Sequence, residues 1–241
     1  MSWYRNWFGT RYYALLYGHR DLQEAASWAR MILGRWDLGT GAHVLDVACG
    51  RGRHAALFLA EGMQVTGVDI STESIADARE AVPDAEFIVH DMREPLADGG
   101  FDAAYCLFTS LGYSRSVADD RRIFRNVADA LRPGGRFVVD FMNTRKVLRD
   151  LVPQECLSIG NVRFLIERVL EDGVLVKRIT VLDGEVEHRF EERVLTLMPE
   201  DLTAMAEEAG LVIEDRTDGP VPEPFNEATS SRFVLWSRKP A

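Results

Sequence analysis

The chain has 241 residues, 46% of them hydrophobic, and 28 basic against 38 acidic side chains give a net charge of −10. That length fits one α/β domain with an insertion better than two domains of about 100–200 residues each, and the negative charge disfavours non-specific binding to nucleic acid, whose affinity comes largely from phosphate contacts. No apolar run approaches the ~20 residues that span a bilayer, the opening MSWYRNWFGTRYYALLYGHR lacks the apolar core of a secretory signal, and the odd, scattered Cys49, Cys106 and Cys156 argue against a disulfide framework or a metal cluster, so a cytoplasmic location is expected.

Residues 12–17 (YYALLY) and 22–36 read as two helices, the second with Leu22, Ala25, Ala26 and Ala29 at helical spacing behind Asp21 as N-cap. With Gly18-His19-Arg20 between them, residues 1–40 are expected to form a helical lid, packing on a sheet edge being the alternative. The stretch 43–57, HVLDVACGRGRHAAL, organises the rest of the chain. Val44, Leu45 and Val47 suit a strand buried on both faces. Gly50 and Gly52 let the backbone approach a ligand closely, and the apolar run 55–60 continues as a helix up to Gly62. A second strand, 64–68, ends at Asp69, and a helix over 71–80 comes next with Ser71 as N-cap. Strand 85–89 ends in His90-Asp91-Met92 and strand four spans 101–107. A helix over 119–131, with Ile123, Phe124, Val127 and Leu131 on one face, is stopped by Pro133-Gly134-Gly135 before strand 136–141. Strands alternating with helices predict a parallel sheet with right-handed crossovers.

From residue 161 to 195 the period turns to two, with Asp172-Gly173 and Asp183-Gly184 as hairpin signals. This is an antiparallel meander, charged on one face, within an insertion over 154–197. Residues 199–209 return to helix and stop at Gly210. Strands 211–214 and 232–237 close the chain around a loop, 218–230, that holds Pro220, Pro222 and Pro224.

Gly50-x-Gly52-x-x-Ala55 satisfies the dinucleotide fingerprint, which does not by itself choose among nucleotides. Three carboxylates do. Asp46, inside the first strand, can accept from a cationic amine beside the glycine turn and would repel a pyrophosphate. Asp69, ending the second strand, stands where a carboxylate grips ribose hydroxyls. Asp91-Met92, ending the third, can meet an adenine. An amine, a ribose and an adenine with no phosphate-binding groups describe S-adenosylmethionine.

On these residues the sequence resembles the class I S-adenosylmethionine-dependent methyltransferases along nearly its whole length. VLDVACGRGR is similar to their first motif, VTGVDIS to the ribose-binding acidic loop, HDMRE to the adenine loop, FDAAYCLFTSLGY to the fourth-strand motif, and LRPGGRFVVDF to the turn before strand five. The resemblance implies an α/β, Rossmann-like, seven-stranded and mostly parallel sheet with a reversed last strand, carrying an antiparallel β insertion after strand five. It places Asp46, Ala48, Gly50, Gly52, Asp69, Ile70, Asp91, Met92 and Leu107 at the cofactor. Tyr13, Tyr17 and Arg20 would close over its methionine end, as N-terminal tyrosines and arginines do in similar enzymes, and Arg53 could pair with its carboxylate. The small-molecule N-methyltransferases that act on glycine or nucleotide-sugar amines resemble the chain further, since they too carry the β insertion.

Methyl transfer from a sulfonium is an in-line displacement that asks mainly for alignment and exclusion of water. Ligands of open α/β sheets lie beyond the carboxyl ends of the strands, so the acceptor is expected against 107–113 and 141–143. Phe108, Tyr113, Asn143 and Phe225 are candidates to bind it, and His19, Tyr113, Asp140 and Glu223 to act as base if one is needed. The N-terminal helix, the meander and loop 218–230 are expected to roof a closed pocket jointly. No Asn/Asp-Pro-Pro-aromatic run stands after strand four, which lowers methylation of nucleobase amines, while N-, O- and C-methylation of a small molecule stay open, as do a monomer and a homodimer. A nicotinamide-dependent oxidoreductase would keep Gly50, Gly52, Ala55 and Asp69 but leaves Asp46 and Asp91 unexplained. A non-catalytic S-adenosylmethionine-binding protein is the other alternative.

Overall fold

The computed structural model describes residues 7–18, 22–96, 99–114 and 116–241. His19, Arg20 and Asp21 lie outside the described residues. The order of elements is α1 (Arg11–Leu16), α2 (Leu22–Trp36), β1 (His43–Val47), α3 (Ala55–Ala60), β2 (Gln64–Asp69), α4 (Thr72–Ala81), β3 (Glu86–Val89), β4 (Phe101–Cys106), α5 (Val117–Ala130) and β5 (Leu131–Met142). Next come α6 (Thr144–Arg149), β6 (Gln154–Ile159), β7 (Val162–Glu171), β8 (Val174–Asp183), β9 (Val186–Leu195), α7 (Pro199–Glu208), β10 (Val212–Thr217) and β11 (Arg232–Arg238).

Seven strands form one sheet in the order β10-β11-β5-β4-β1-β2-β3. β1 to β5 run parallel, and β11 is antiparallel to both of its neighbours. The expected architecture, with its reversed last strand, is therefore observed. β1 reads as a both-faces-buried strand because Val44, Leu45, Asp46 and Val47 are all buried. Ser71 caps α4 by accepting from the Ser74 amide at 3.1 Å, as its position implied. The Pro133-Gly134-Gly135 turn does not precede β5 but lies within it, because β5 already pairs with Phe101 from Leu131 onward. There the backbone packs so closely that a Cβ on Gly135 would meet the Phe101 carbonyl oxygen at 3.0 Å.

Each face of the sheet carries its own core. One is built with α5 and α7 around Phe124, Phe137, Leu202 and Phe233, the other with α2, α3 and α4 around Trp28, Ile32, Phe58 and Ile75. The insertion forms a separate antiparallel sheet, β6-β7-β8-β9. Its β7–β8 turn sets both Asp172 and Gly173 at positive φ, 47° and 78°, as a two-residue type I′ hairpin requires. A third core joins this sheet to the N-terminal segment, with Trp7, Tyr12 and Leu16 packed on Val162, Phe164, Ile166 and Ile179. The two N-terminal helices therefore part company: α2 packs on the main sheet and α1 on the meander.

Candidate active site

The carboxyl ends of β1, β2, β3 and β4 converge on a cavity of about 590 Å³. At its floor Asp69 fixes the glycine turn, accepting from the Gly50 amide at 2.9 Å and the Ser71 amide at 2.8 Å. Each carboxylate oxygen thereby keeps acceptor capacity for a ligand. The backbone above it is bent out of ordinary conformations, with Ala48 at φ 60° and Gly50 at φ 55°. A Cβ built on Gly50 meets no atom within 4 Å, so the turn opens onto free space. Gly52 serves differently. It lies off the cavity wall, and at φ +73° a Cβ there would stand 2.7 Å from the Phe87 ring. A side chain there would collide with Phe87 of β3 and crowd Ala78 of α4, so the glycine is needed for packing behind the turn.

Beside the turn, three buried polar atoms have no hydrogen-bond partner: Asp46 Oδ2, His54 Nε2 and Tyr105 Oη. Burial pushes the Asp46 carboxyl up to about 7. The Tyr105 hydroxyl is near enough to oppose that rise, though outside hydrogen-bond geometry, and the Asp69 charge adds to it. Burial pushes His54 down to about 3, so its ring is neutral near pH 7. An orphaned carboxylate in a low-dielectric pocket is costly unless a ligand satisfies it. It therefore fits the cationic amine read from the sequence.

The far end of the cavity is held by Asp91 and Met92. The Asp91 carboxylate accepts from its neighbour Arg93, at 2.9 Å from Nε, and this hydrogen bond holds its pKa below the usual carboxylate range. Asn126, on α5, donates to the carbonyls of Met92 (3.1 Å) and Glu94 (2.8 Å) and pins the turn. Neither Arg93 nor Asn126 was legible as a site residue, since both act through backbone or neighbouring groups.

After β4 the chain turns through Phe108 and Thr109, both at positive φ, 59° and 60°. The Phe108 ring carries the Arg53 guanidinium 4.3 Å from its centroid and stacks with the His54 ring at 5.4 Å. Its amide donates to Asp140 at 2.7 Å. Asp140 is in turn clamped by Arg232 of β11, at 2.7 and 2.6 Å, and the same guanidinium reaches Thr109 at 2.9 Å. Those bonds hold two strained residues in place.

The cavity wall includes Asp46, Ala48, Gly50, Asp69, Ile70, Asp91, Met92 and Leu107, and from the acceptor candidates Phe108 and Tyr113. Tyr13 and Tyr17 of the N-terminal segment also line it. A smaller cavity of about 200 Å³ adjoins it, sharing Phe8, Tyr13, Tyr17, Phe108 and Tyr113 and closed by the meander residues Arg168, Leu175, Lys177, Glu192 and Val194 with Thr109, Met142 and Arg232.

Further sequence expectations are corrected. Asn143 is buried, donates to the carbonyls of Glu227 (2.9 Å) and Ser230 (2.8 Å), and caps α6, so it fastens a loop and lines neither cavity. Phe225 packs edge-on against Phe233 in the core. Asp140 is fully buried behind the wall in its ion pair with Arg232, which removes it as a base, and Glu223 is exposed on its loop. Loop 218–230 contributes no residue to the wall of either cavity, whereas α1 and the meander do. His19 and Arg20 lie outside the described residues.

The family described as "Methyltransferase domain" matches residues 44–135. A dTDP-4-amino-2,3,4,6-tetradeoxy-D-glucose N,N-dimethyltransferase of Saccharopolyspora spinosa is 31% identical over 210 residues, 84% of each chain. Several further relatives are matched over less than half of their own length. Among solved structures, an S-adenosylmethionine-dependent methyltransferase from Clostridium acetobutylicum superposes with a TM-score of 0.82 at 21% identity, covering 95% of this chain and 96% of that one. A sugar N-methyltransferase from Streptoalloteichus does so at 0.72 and 25% identity, covering 95% and 93%.

Proposed function

The chain belongs to the class I S-adenosylmethionine-dependent methyltransferases, and from that premise we propose that it methylates an amino group of a small-molecule acceptor, the larger cavity taking the cofactor and the smaller one the acceptor. The observation that carries this reading is the junction of the two cavities through Phe8, Tyr13, Tyr17, Phe108 and Tyr113, at the carboxyl ends of the strands. When bound, S-adenosylmethionine supplies an electrophilic methyl group on a sulfonium that is already a good leaving group.

The chain's own residues hold and align. Asp46 would accept from the amine of the cofactor, Asp69 from its ribose, and the Asp91–Met92 turn would meet its adenine. Arg53, fixed over Phe108, stands near enough to the glycine turn to answer a carboxylate. The aromatic junction keeps water from the transfer path. Nitrogen as the acceptor atom is supported by the likeness to the Saccharopolyspora enzyme and by the site itself. With Asp140 committed to Arg232 and Glu223 in solvent, two of the groups expected to act as base are out of reach, which suits an amine attacking through its free lone pair. A sugar-borne amine is the acceptor class the relatives favour. The reading keeps the protein in the cytoplasm, supported by three free cysteines, and keeps nucleic acid out as acceptor, supported by the net charge of −10. No helix among the described residues is long and apolar enough to cross a membrane.

The test is release of S-adenosylhomocysteine from the protein with S-adenosylmethionine and matched pairs of amino sugars and the corresponding neutral sugars. Turnover with the amine and not the alcohol is expected. Turnover with the alcohol alone would overturn the nitrogen assignment, and tight cofactor binding with no turnover on any acceptor would favour a non-catalytic role.

A further inference from the structure

We propose that Asp120, on α5, is a positioning residue of the transfer site: it holds Tyr113 between the two cavities, and the acceptor is aligned against that tyrosine. The proposal rests on the reading that the smaller cavity takes the acceptor, and it adds a residue that lines neither cavity.

Tyr113 lines both cavities and stands 5.5 Å, ring to ring, from Phe8. Its two chain neighbours are held by one side chain. Asp120 accepts from the Gly112 amide at 3.0 Å through Oδ1 and from the Ser114 hydroxyl at 2.7 Å through Oδ2. The chain on either side of Tyr113 is thereby tied to the start of α5. Gly112 ties the same loop to the meander, since its carbonyl accepts from the Leu195 amide at 2.8 Å. Gly112 sits at φ +78°, and a Cβ there would come within 3.2 Å of both the Leu195 carbonyl oxygen and Val194. Val194 is part of the wall of the smaller cavity. Asp120 therefore fixes the point where the loop after β4 meets that wall. The other end of the loop hangs on Asp140, through the Phe108 amide.

The burial of Asp120 argues for this task. Its side chain is fully buried, and it forms no salt bridge among the described residues. A carboxylate buried on such terms is costly, and the two hydrogen bonds it accepts are of the strong, charge-assisted kind that offsets the cost. The helix dipole favours a carboxylate in the first turn whether or not it is buried. Asp119, beside it and partly exposed, already supplies one. What Asp120 adds is the hold on residues 112 and 114. In-line transfer depends on such holds, because a misplacement of about 1 Å costs on the order of 100-fold in rate.

The experiment uses the full chain, saturated with S-adenosylhomocysteine and labelled with 3-fluorotyrosine at its six tyrosines. The Tyr113 fluorine signal is the one lost in Tyr113→Phe. It is expected to shift in Asp120→Asn and in Ser114→Ala, which removes one of the two bonds and leaves the carboxylate in place. With S-adenosylmethionine and the amino sugar that turns over fastest, Asp120→Asn is expected to lose at least tenfold in acceptor kcat/KM, while the S-adenosylhomocysteine Kd stays within twofold. Added to Tyr113→Ala, the same substitution is expected to cost less than a further twofold. A Tyr113 signal unmoved in both variants would overturn the proposal. So would an undiminished loss in the Tyr113→Ala background, which would make Asp120 a structural residue that does not act through Tyr113. Turnover of no amino sugar would instead strike the acceptor reading, and the fluorine signals would still decide whether Asp120 sets Tyr113.

Discussion

The two halves of the site are built by opposite strategies. At the carboxyl edge of the parallel sheet, the cofactor half is made of backbone: glycine turns, strand ends and carboxylates that organise amides, as Asp69 does for Gly50 and Ser71. The half proposed to take the acceptor, next to α1 and the meander, is made of side chains, the aromatic cluster of Phe8, Tyr13 and Tyr17 against Lys177 and Glu192. A backbone-built site is bound to chain order and tolerates few sequences. A side-chain-built site can change its ligand by point substitutions without touching the sheet.

The sharpest way to break this comparison is at a glycine. Gly52→Ala places a Cβ against Phe87 at positive φ, and strain of about 1–2 kcal/mol with overpacking of about 1–3 kcal/mol should lower stability by about 2–5 kcal/mol in denaturant unfolding. A variant that stays as stable as wild type yet loses the cofactor would return Gly52 to the binding site. Next comes Asp69→Ala. It should weaken S-adenosylhomocysteine binding by about 2–3 kcal/mol, the scale of hydrogen bonds to a charged group, or roughly 30–150-fold in Kd. An unchanged Kd by calorimetry would take Asp69 out of the cofactor half.

Legibility in the sequence divides along the same line. Val44 to Val47, Gly50 and Asp69 announced themselves because fixed backbone chemistry needs those residue types at that spacing. Asn143 and Phe225 were assigned to the acceptor from their place at the sheet edge, yet chain position does not say which way a side chain turns: one fastens a loop and the other packs on Phe233. The cations of the smaller cavity were illegible for a related reason. Arg168 and Lys177 meet through the β7–β8 register, and Arg232 reaches the same cavity from β11 of the other sheet. Glu192 did leave a trace, as the charged residue among the otherwise uncharged alternate positions of 186–194.

The pH dependence sharpens the cofactor half. Asp46 titrates at about 7 in the folded protein against an ordinary 3.8, so the native state holds an extra proton between those values. Its contribution to stability is full below pH 3.8 and is lost as pH rises through about 7. His54, depressed from 6.5 to about 3, acts in reverse, contributing above 6.5 and losing its contribution as pH falls toward 3. Asp46→Asn should therefore raise the melting temperature of the ligand-free protein at pH 8 and leave it unchanged at pH 3.5. The difference should be at least about 1.4 kcal/mol, the worth of one pKa unit. The same substitution should weaken cofactor binding at pH 8. Equal effects at both pH values would mean that the Asp46 carboxyl is not held up by burial.

The smallest effect is expected in the acceptor half. Glu192→Gln keeps the shape but weakens the bonds to Trp7 and Tyr17, costing about 1–2 kcal/mol of α1 docking. Acceptor KM should rise severalfold while the cofactor Kd stays within twofold in calorimetry. A cofactor Kd that moves with KM would erase the division between the halves.

The most direct measurement of the central claim is calorimetric titration of the purified protein with S-adenosylhomocysteine, with NADH as control. One-to-one binding of the first at micromolar Kd, and none of the second, is the result predicted by Asp46, Asp69 and Asp91 around the glycine turn. Binding of NADH alone would contradict it and make the glycine turn a dinucleotide site.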